Sequence, residues 1–299
     1  RRLPGVQARV GDLVIGSWQL GNTQLSLARR SGGVELEQFQ ARTGSYTVDL
    51  SGSWLVEEVG QMSRANLTLT STDVRQTLRS LGYEDILTGK DAFLRARLRW
   101  PGRPRADLLA EASGTLSVSL QNGQLLKLQP GAGRLLGLLS VTAIPRRLSL
   151  DFRDVTDKGF AFDVVQGDFE LRDGDAYTSN LLLRGPAGEI GIVGRTGLAD
   201  HDYDQTAVVT GNLSGSLGIA GALAGGPVVG AAVLLFSEIF KQPLQGMTRS
   251  YYRITGSWED PSVERVLETE GKDAAAQSHN HAAGSQSTGG EAARPSTAQ

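Results

Sequence analysis

Cysteine is absent from the 299 residues, so disulfide frameworks, thiol nucleophiles and cysteine-ligated metals are all excluded. Histidine occurs three times, and two of the three, His279 and His281, lie in a polar C-terminal stretch; only His201 is left to serve a catalytic triad, and no Gly-x-Ser-x-Gly is present. A strong net charge is missing too. The formal value of -2 argues against recognition of nucleic acid by phosphate neutralisation. It conceals an asymmetry: residues 1–147 carry +7 and the remainder -9. Solvated strand faces account for that difference, and a role in orienting the chain between anionic surfaces is the alternative. Aromatic residues make up 6% and prolines number only 10 against 38 glycines, a balance that suits many turns between short strands.

What is present is alternation. Leu13 and Ile15, Leu25 and Leu27, Val34 and Leu36, Tyr46, Val48 and Leu50, then Leu67 and Leu69 each place apolar side chains two apart, with glycine-containing turns between the runs. This reads as an antiparallel meander with one apolar face. Ser71 to Leu81 breaks the rhythm as a short amphipathic helix, with Thr72 as its expected N-cap and Gly82 as its stop. Alternation resumes at Phe93 to Trp100 and at Leu116, Val118 and Leu120, where Asn122-Gly123 signals a two-residue type I′ hairpin. Short strands return beyond Asp163, with turns at Arg172 to Asp175 and at Gly185-Pro186. Three regions are expected: a β-array with one helix over 1–115, a second region over 116–267 with apolar helices at 132–143 and about 217–241, and a disordered tail over 268–299.

Other chemistry is weakly supplied. Gly131, Gly133 and Gly137 miss the dinucleotide spacing and are read as turn glycines. Asp200, Asp202 and Asp204 begin like a calcium loop, but Gln205 and Gly211 stand where that loop needs glycine and glutamate, so a polar hairpin tip is expected. Asp151, Asp154, Asp163 and Asp168 could supply paired carboxylates to a glycosidase, but alternation places Asp151 on the solvated face opposite Leu150 and Phe152, so charges that keep a large sheet soluble are expected instead. No enzyme, no cofactor and no metal site is expected.

From Gln205 to Ser237 no residue is charged, a length that invites a membrane span. Gly225-Gly226-Pro227 interrupts it, and Pro227 suits the first residue of a helix, so two short apolar pieces that cap or line the sheet, or touch a membrane interface, are expected instead.

The segments GAGRLLGLLS (131–140), PRRLSLDFRDV (145–155), GFAFD (159–163), LAGGPVVGAA (223–232) and ITGSWEDP (254–261), in this order and spacing, resemble the C-terminal region of the AsmA-like family of bacterial envelope proteins. The resemblance implies an elongated, curved antiparallel sheet, a groove-like β-taco with a few short helices. It further implies a periplasmic protein anchored in the inner membrane through an N-terminal segment preceding Arg1, which passes phospholipid to the inner leaflet of the outer membrane and supports its permeability barrier. Leu148, Leu150, Phe152, Phe160, Phe162, Phe169, Leu171, Leu181, Leu183, Ile190 and Ile192 are the candidate groove lining, with ordinary core packing as the competing reading. Arg134, Arg146 and Arg147 are candidate phosphate contacts, or basic residues complementing a helix dipole. Pro227, Val228, Val229, Leu234, Leu235 and Phe236 mark the terminal apolar helix, by resemblance the plug of the groove. An envelope assembly factor that binds outer-membrane protein segments along a sheet edge is the second reading.

Overall fold

The computed structural model describes residues 5–58, 60–83, 85–105, 107–126, 160–186, 188–211 and 248–266. The chain runs β1 (Val6–Ile15), β2 (Trp18–Arg30), β3 (Gly33–Arg42), β4 (Tyr46–Glu57), β5 (Gly60–Ser71), α1 (Val74–Ser80), β6 (Leu87–Thr88) and β7 (Asp91–Pro101). It continues with β8 (Ser113–Leu125), β9 (Phe160–Arg172), β10 (Asp175–Gly185), β11 (Gly188–Gly197), β12 (Asp202–Gly211), β13 (Thr248–Ser257) and β14 (Pro261–Val266). All fourteen strands belong to one antiparallel sheet in sequence order, with the two-residue β6 set aside against β8. The sheet does not close, since β1 and β14 each pair on one side only. The expected mainly β, elongated antiparallel architecture is therefore the observed one.

Sequence order follows from the turns. Asp173 and Gly174 have φ of 48° and 90°, the left-handed pair that a two-residue hairpin matching strand twist requires. Because every connection reverses the chain, odd and even connections fall at opposite ends of the strands. The connections 72–90, 126–159 and 212–247 all leave from one end, and the opposite end carries short turns and the loop 102–112.

The α-helix α1, the only one among the described residues, lies over that first end. Its N-cap is Asp73, not Thr72: Asp73 Oδ1 accepts the Gln76 amide at 3.0 Å, an arrangement that starts the helix one residue later. Thr77 Oγ1 reaches the Ser45 carbonyl, 3.3 Å away in the β3–β4 turn, and Gly82, with φ of 80°, abuts Ser17 in the β1–β2 turn. A helix that follows β5 thus touches turns several strands away. Tyr46 on β4 likewise reaches past β3 to donate to the Gln19 carbonyl at 2.8 Å. Register shifts in β1, β2, β3 and β10 accompany these contacts, and bulges of this kind twist and bend the strands that carry them.

Asn122-Gly123 does not turn the chain. β8 continues to Leu125 and keeps its register against β9 throughout. At Asn122, with φ of 50°, the opposite neighbour of β8 changes from β7 to β6, and the left-handed residue flips which side chains face inward. Leu116, Val118 and Leu120 face in before it, and Leu125 after it. β9 makes the same flip, so Phe160 and Phe162 share a face with Val165, Phe169 and Leu171, whereas simple alternation from Phe162 selects Val164.

Candidate functional site

Cross-strand partners in an antiparallel pair share a face, so the register states which side chains form one surface. One row runs Ala8, Leu25, Phe39, Leu50, Leu67, Ala96, Leu116 and Phe169, each the direct partner of the next, from β1 to β9. It continues through Thr178, Gly194, Gln205, Ile254 and Val263 to β14. A parallel row passes through Val48, Leu69, Leu94 and Val118 to Gly167, which packs beneath Leu181, and then through Ile192, Ala207 and Tyr252. The result is an apolar lane that crosses every strand of the main sheet.

The lane has two regimes. Over β1 to β5 and β7 most of its side chains, among them Leu25, Phe39, Leu50 and Leu67, are half-buried, while Ala96 on β7 is 4% exposed and joins the interior cluster. Over β8 to β13 the interior cluster takes over: Leu116, Phe162, Phe169, Leu171, Leu181, Leu183, Ile190 and Ile192 are between 0% and 7% exposed. At β10 to β12 the lane also narrows. Thr178, Thr196, Gln205 and Tyr203 put polar groups on the half facing the short turns, with Gln205 Nε2 donating to Thr196 Oγ1 at 2.6 Å. Burial pushes the Tyr203 hydroxyl well above its usual pKa. Only the rows through Leu181, Ile192 and Ala207 and through Leu183, Ile190 and Val209 stay apolar there.

The opposite face is polar from β2 to β9. Arg95, Arg97 and Arg99 project from alternate positions of β7, with the Arg95 guanidinium 5.0 Å from the centre of the Phe93 ring. Asp168 accepts from Ser117 Oγ at 2.6 Å and Asn180 Nδ2 at 2.8 Å, and these bonds hold its carboxyl below the usual range. A depression of about 380 Å³ beside them, lined by Phe93, Ser119, Gln166 and Leu182, lies on this face and not in the lane. Arg195 is clamped by Asp202 at 2.6 and 2.9 Å and by Asp175 at 2.8 Å, so Asp202 anchors a strand end; His201, with φ of 53°, makes the adjoining turn and packs 4.6 Å from Trp258. No group of three or more His, Cys, Asp or Glu that could hold a metal occurs among the described residues. No helix among them is long and apolar enough to cross a membrane.

The structure brings eight of the lining candidates, Phe160, Phe162, Phe169, Leu171, Leu181, Leu183, Ile190 and Ile192, together on the lane face. Leu148, Leu150 and Phe152, the basic residues Arg134, Arg146 and Arg147, and the helix residues Pro227, Val228, Val229, Leu234, Leu235 and Phe236 lie outside the described residues. Reading from sequence alone passed over Phe39, Ala96, Leu116 and Ile254 as lane residues. The alternation of Ala96, Leu116 and Ile254 was visible, but nothing local ranks one alternating strand above another, and Phe39 falls out of phase with Val34 and Leu36 because of the register shift between Leu36 and Phe39.

A family model described as YhdP protein matches residues 1–263. The Intermembrane phospholipid transporter YhdP of Escherichia coli (strain K12) is 34% identical over 198 residues, which is 66% of this chain and 15% of that protein. The chain therefore spans a small part of the length of this curated relative. No solved structure matches.

Proposed function

The chain belongs to the YhdP family, and from that premise we propose that it forms a segment of a non-enzymatic conduit for phospholipid between the inner and outer membranes of a Gram-negative envelope. The observation that carries this reading is the lane itself: directly paired apolar side chains from β1 onward, most of them half-buried over β1 to β7. Six strands at a spacing of about 4.8 Å give that open stretch a run of about 24 Å, against about 15 Å for the acyl layer of one leaflet. Shielding acyl chains there returns about 0.8 kcal/mol per methylene, enough to hold a lipid without cofactor or covalent chemistry. Headgroups stay in water at the mouth while the tails lie along Leu25, Phe39, Leu50 and Leu67.

The reading places the protein in the periplasm, joined to the inner membrane by sequence before Arg1 and delivering to the inner leaflet of the outer membrane, whose permeability barrier it supports. The outer sides of β1 and β14, which pair with no other strand among the described residues, favour a second reading, in which envelope protein segments add to the sheet as strands. Native mass spectrometry of the purified chain separates the two. Bound phospholipid that is lost in Leu50→Asp and kept in the opposite-face control Thr68→Asp supports the conduit. Bound peptide without lipid, or lipid retained by Leu50→Asp, refutes it.

A further inference from the structure

The lane explains burial on one face of the sheet, yet a band across the other face of the last five strands is buried as well, between exposed positions such as Tyr177, Asp204 and Glu264. Leu182, Gly191, Val208, Tyr251 and Val266 are successive direct partners across β10 to β14, on the face opposite the lane. Leu182, Val208, Tyr251 and Val266 are 2–7% exposed, and Val193, Thr206 and Thr210 around them are equally covered. Arg253 Nε and Thr210 Oγ1 on this face are also shut off from solvent. None of the apolar members belongs to the interior cluster that fills the lane side. On β9 the corresponding positions, Gln166, Asp168 and Glu170, are polar and exposed, so the sheet changes character at β10. Side chains standing beside one another on one bare sheet face keep part of their surface in water, and the described elements that pack closely on β10 to β14 are their own neighbours in the sheet.

We infer that residues 212–247 of this same chain dock on the outer face of β10 to β14. The connectivity points to that segment. Gly211 and Thr248 are direct partners at the ends of β12 and β13, two of the five strands involved, so a two-residue turn would close the hairpin, and the chain spends 36 residues instead. Composition selects it over the other stretches outside the described residues. It carries two charges, Glu238 and Lys241, whereas 127–159 carries nine and the stretch beyond Val266 is polar. A cover for Val208 and Tyr251 has to be apolar, and this one is. The assignment is independent of the lipid reading, and it puts the most apolar segment of the chain behind the lane rather than in it.

The absence of cysteine makes the test clean, because Val208→Cys supplies the chain's single thiol. Maleimide should modify Cys at position 208 at least about tenfold more slowly than a Thr70→Cys control at an exposed position of the outer face. Replacing 212–247 by Asn-Gly should bring the two rates together. Rapid labelling of the full-length Val208→Cys chain overturns the inference. So does protection that survives the excision, and protection that disappears on dilution assigns the face to a second copy. Should the excised chain fail to fold, the full chain decides: Val208→Cys paired with Ala224→Cys or with Ala231→Cys should join within one molecule through a short bismaleimide. Failure of both pairs refutes the docking.

Discussion

Two truncations on the same apolar lane should differ in cost, because one half is filled and the other open. Ile192 is 0% exposed, sits between its ladder partners Leu181 and Ala207, and belongs to the interior cluster. Ile192→Ala removes buried methyl groups and leaves a cavity, which costs about 2–5 kcal/mol. Leu50 is half-buried between Phe39 and Leu67. Since complete burial of a leucine side chain contributes about 1.5–3 kcal/mol, Leu50→Ala should cost about 1 kcal/mol, with little cavity term on an already open surface. In a chain of this size about 1 kcal/mol moves the melting midpoint by roughly 2–4 °C, so Ile192→Ala should lose roughly 4–20 °C and Leu50→Ala no more than about 4 °C. Urea and thermal unfolding followed by tryptophan fluorescence measure both. Equal losses, or a larger loss at Leu50, would refute the division of the lane into an open and a filled half.

Asp73→Ala should destabilise the chain by about 1 kcal/mol through loss of the bond to the Gln76 amide, with hydrogen exchange rising first in α1. Gly194 has φ of 127° and faces the Asp204 carbonyl where a Cβ would stand, so Gly194→Ala should cost well over about 1 kcal/mol while Gly11→Ala, which meets open space, should be nearly silent in the same melt. Tyr203 is held neutral by burial, so its folded pKa lies above its unfolded value near 10; the stability this provides is complete below that value and is lost as pH rises beyond it. Alkaline unfolding curves should therefore be less steep in Tyr203→Phe. Asp168 shows the reverse sign: its lowered folded pKa contributes stability above the ordinary carboxylate value of 3.8 that disappears as pH falls below it, and Asp168→Asn should flatten that acid limb of the unfolding curve.

Much of the architecture was legible because a strand's pleat writes itself into sequence with a period of two. Leu67 and Leu69, or Leu25 and Leu27, announce a half-buried strand without help from any other part of the chain, and glycine-rich turns mark where one strand ends. Failures arose where a local signal had two physical uses. Asn122-Gly123 has the left-handed preference that closes a hairpin, and the same preference lets β8 flip its inward side while its register with β9 continues. Asp73 and Thr72 are both competent caps, and the choice depended on where Ser45 and Ser71 hold the first turn of α1. Leu181, Leu182 and Leu183 form a continuous apolar run with no readable face, which the structure resolves by burying both faces of β10.

By itself the sequence determined that the chain is β-rich, antiparallel and poor in reactive chemistry, because alternation, turn residues and the absence of cysteine are properties of neighbouring residues or of composition. Only the tertiary structure decided that alternating strands line up into one lane, that the lane is largely open from β1 to β7 and filled from β8 onward, and that a band across the last five strands is buried on both sides. Those facts depend on which residues stand opposite one another across strands and on how a wide sheet bends. Pairing and curvature are set by contacts between residues far apart in the chain, which a period of two cannot encode.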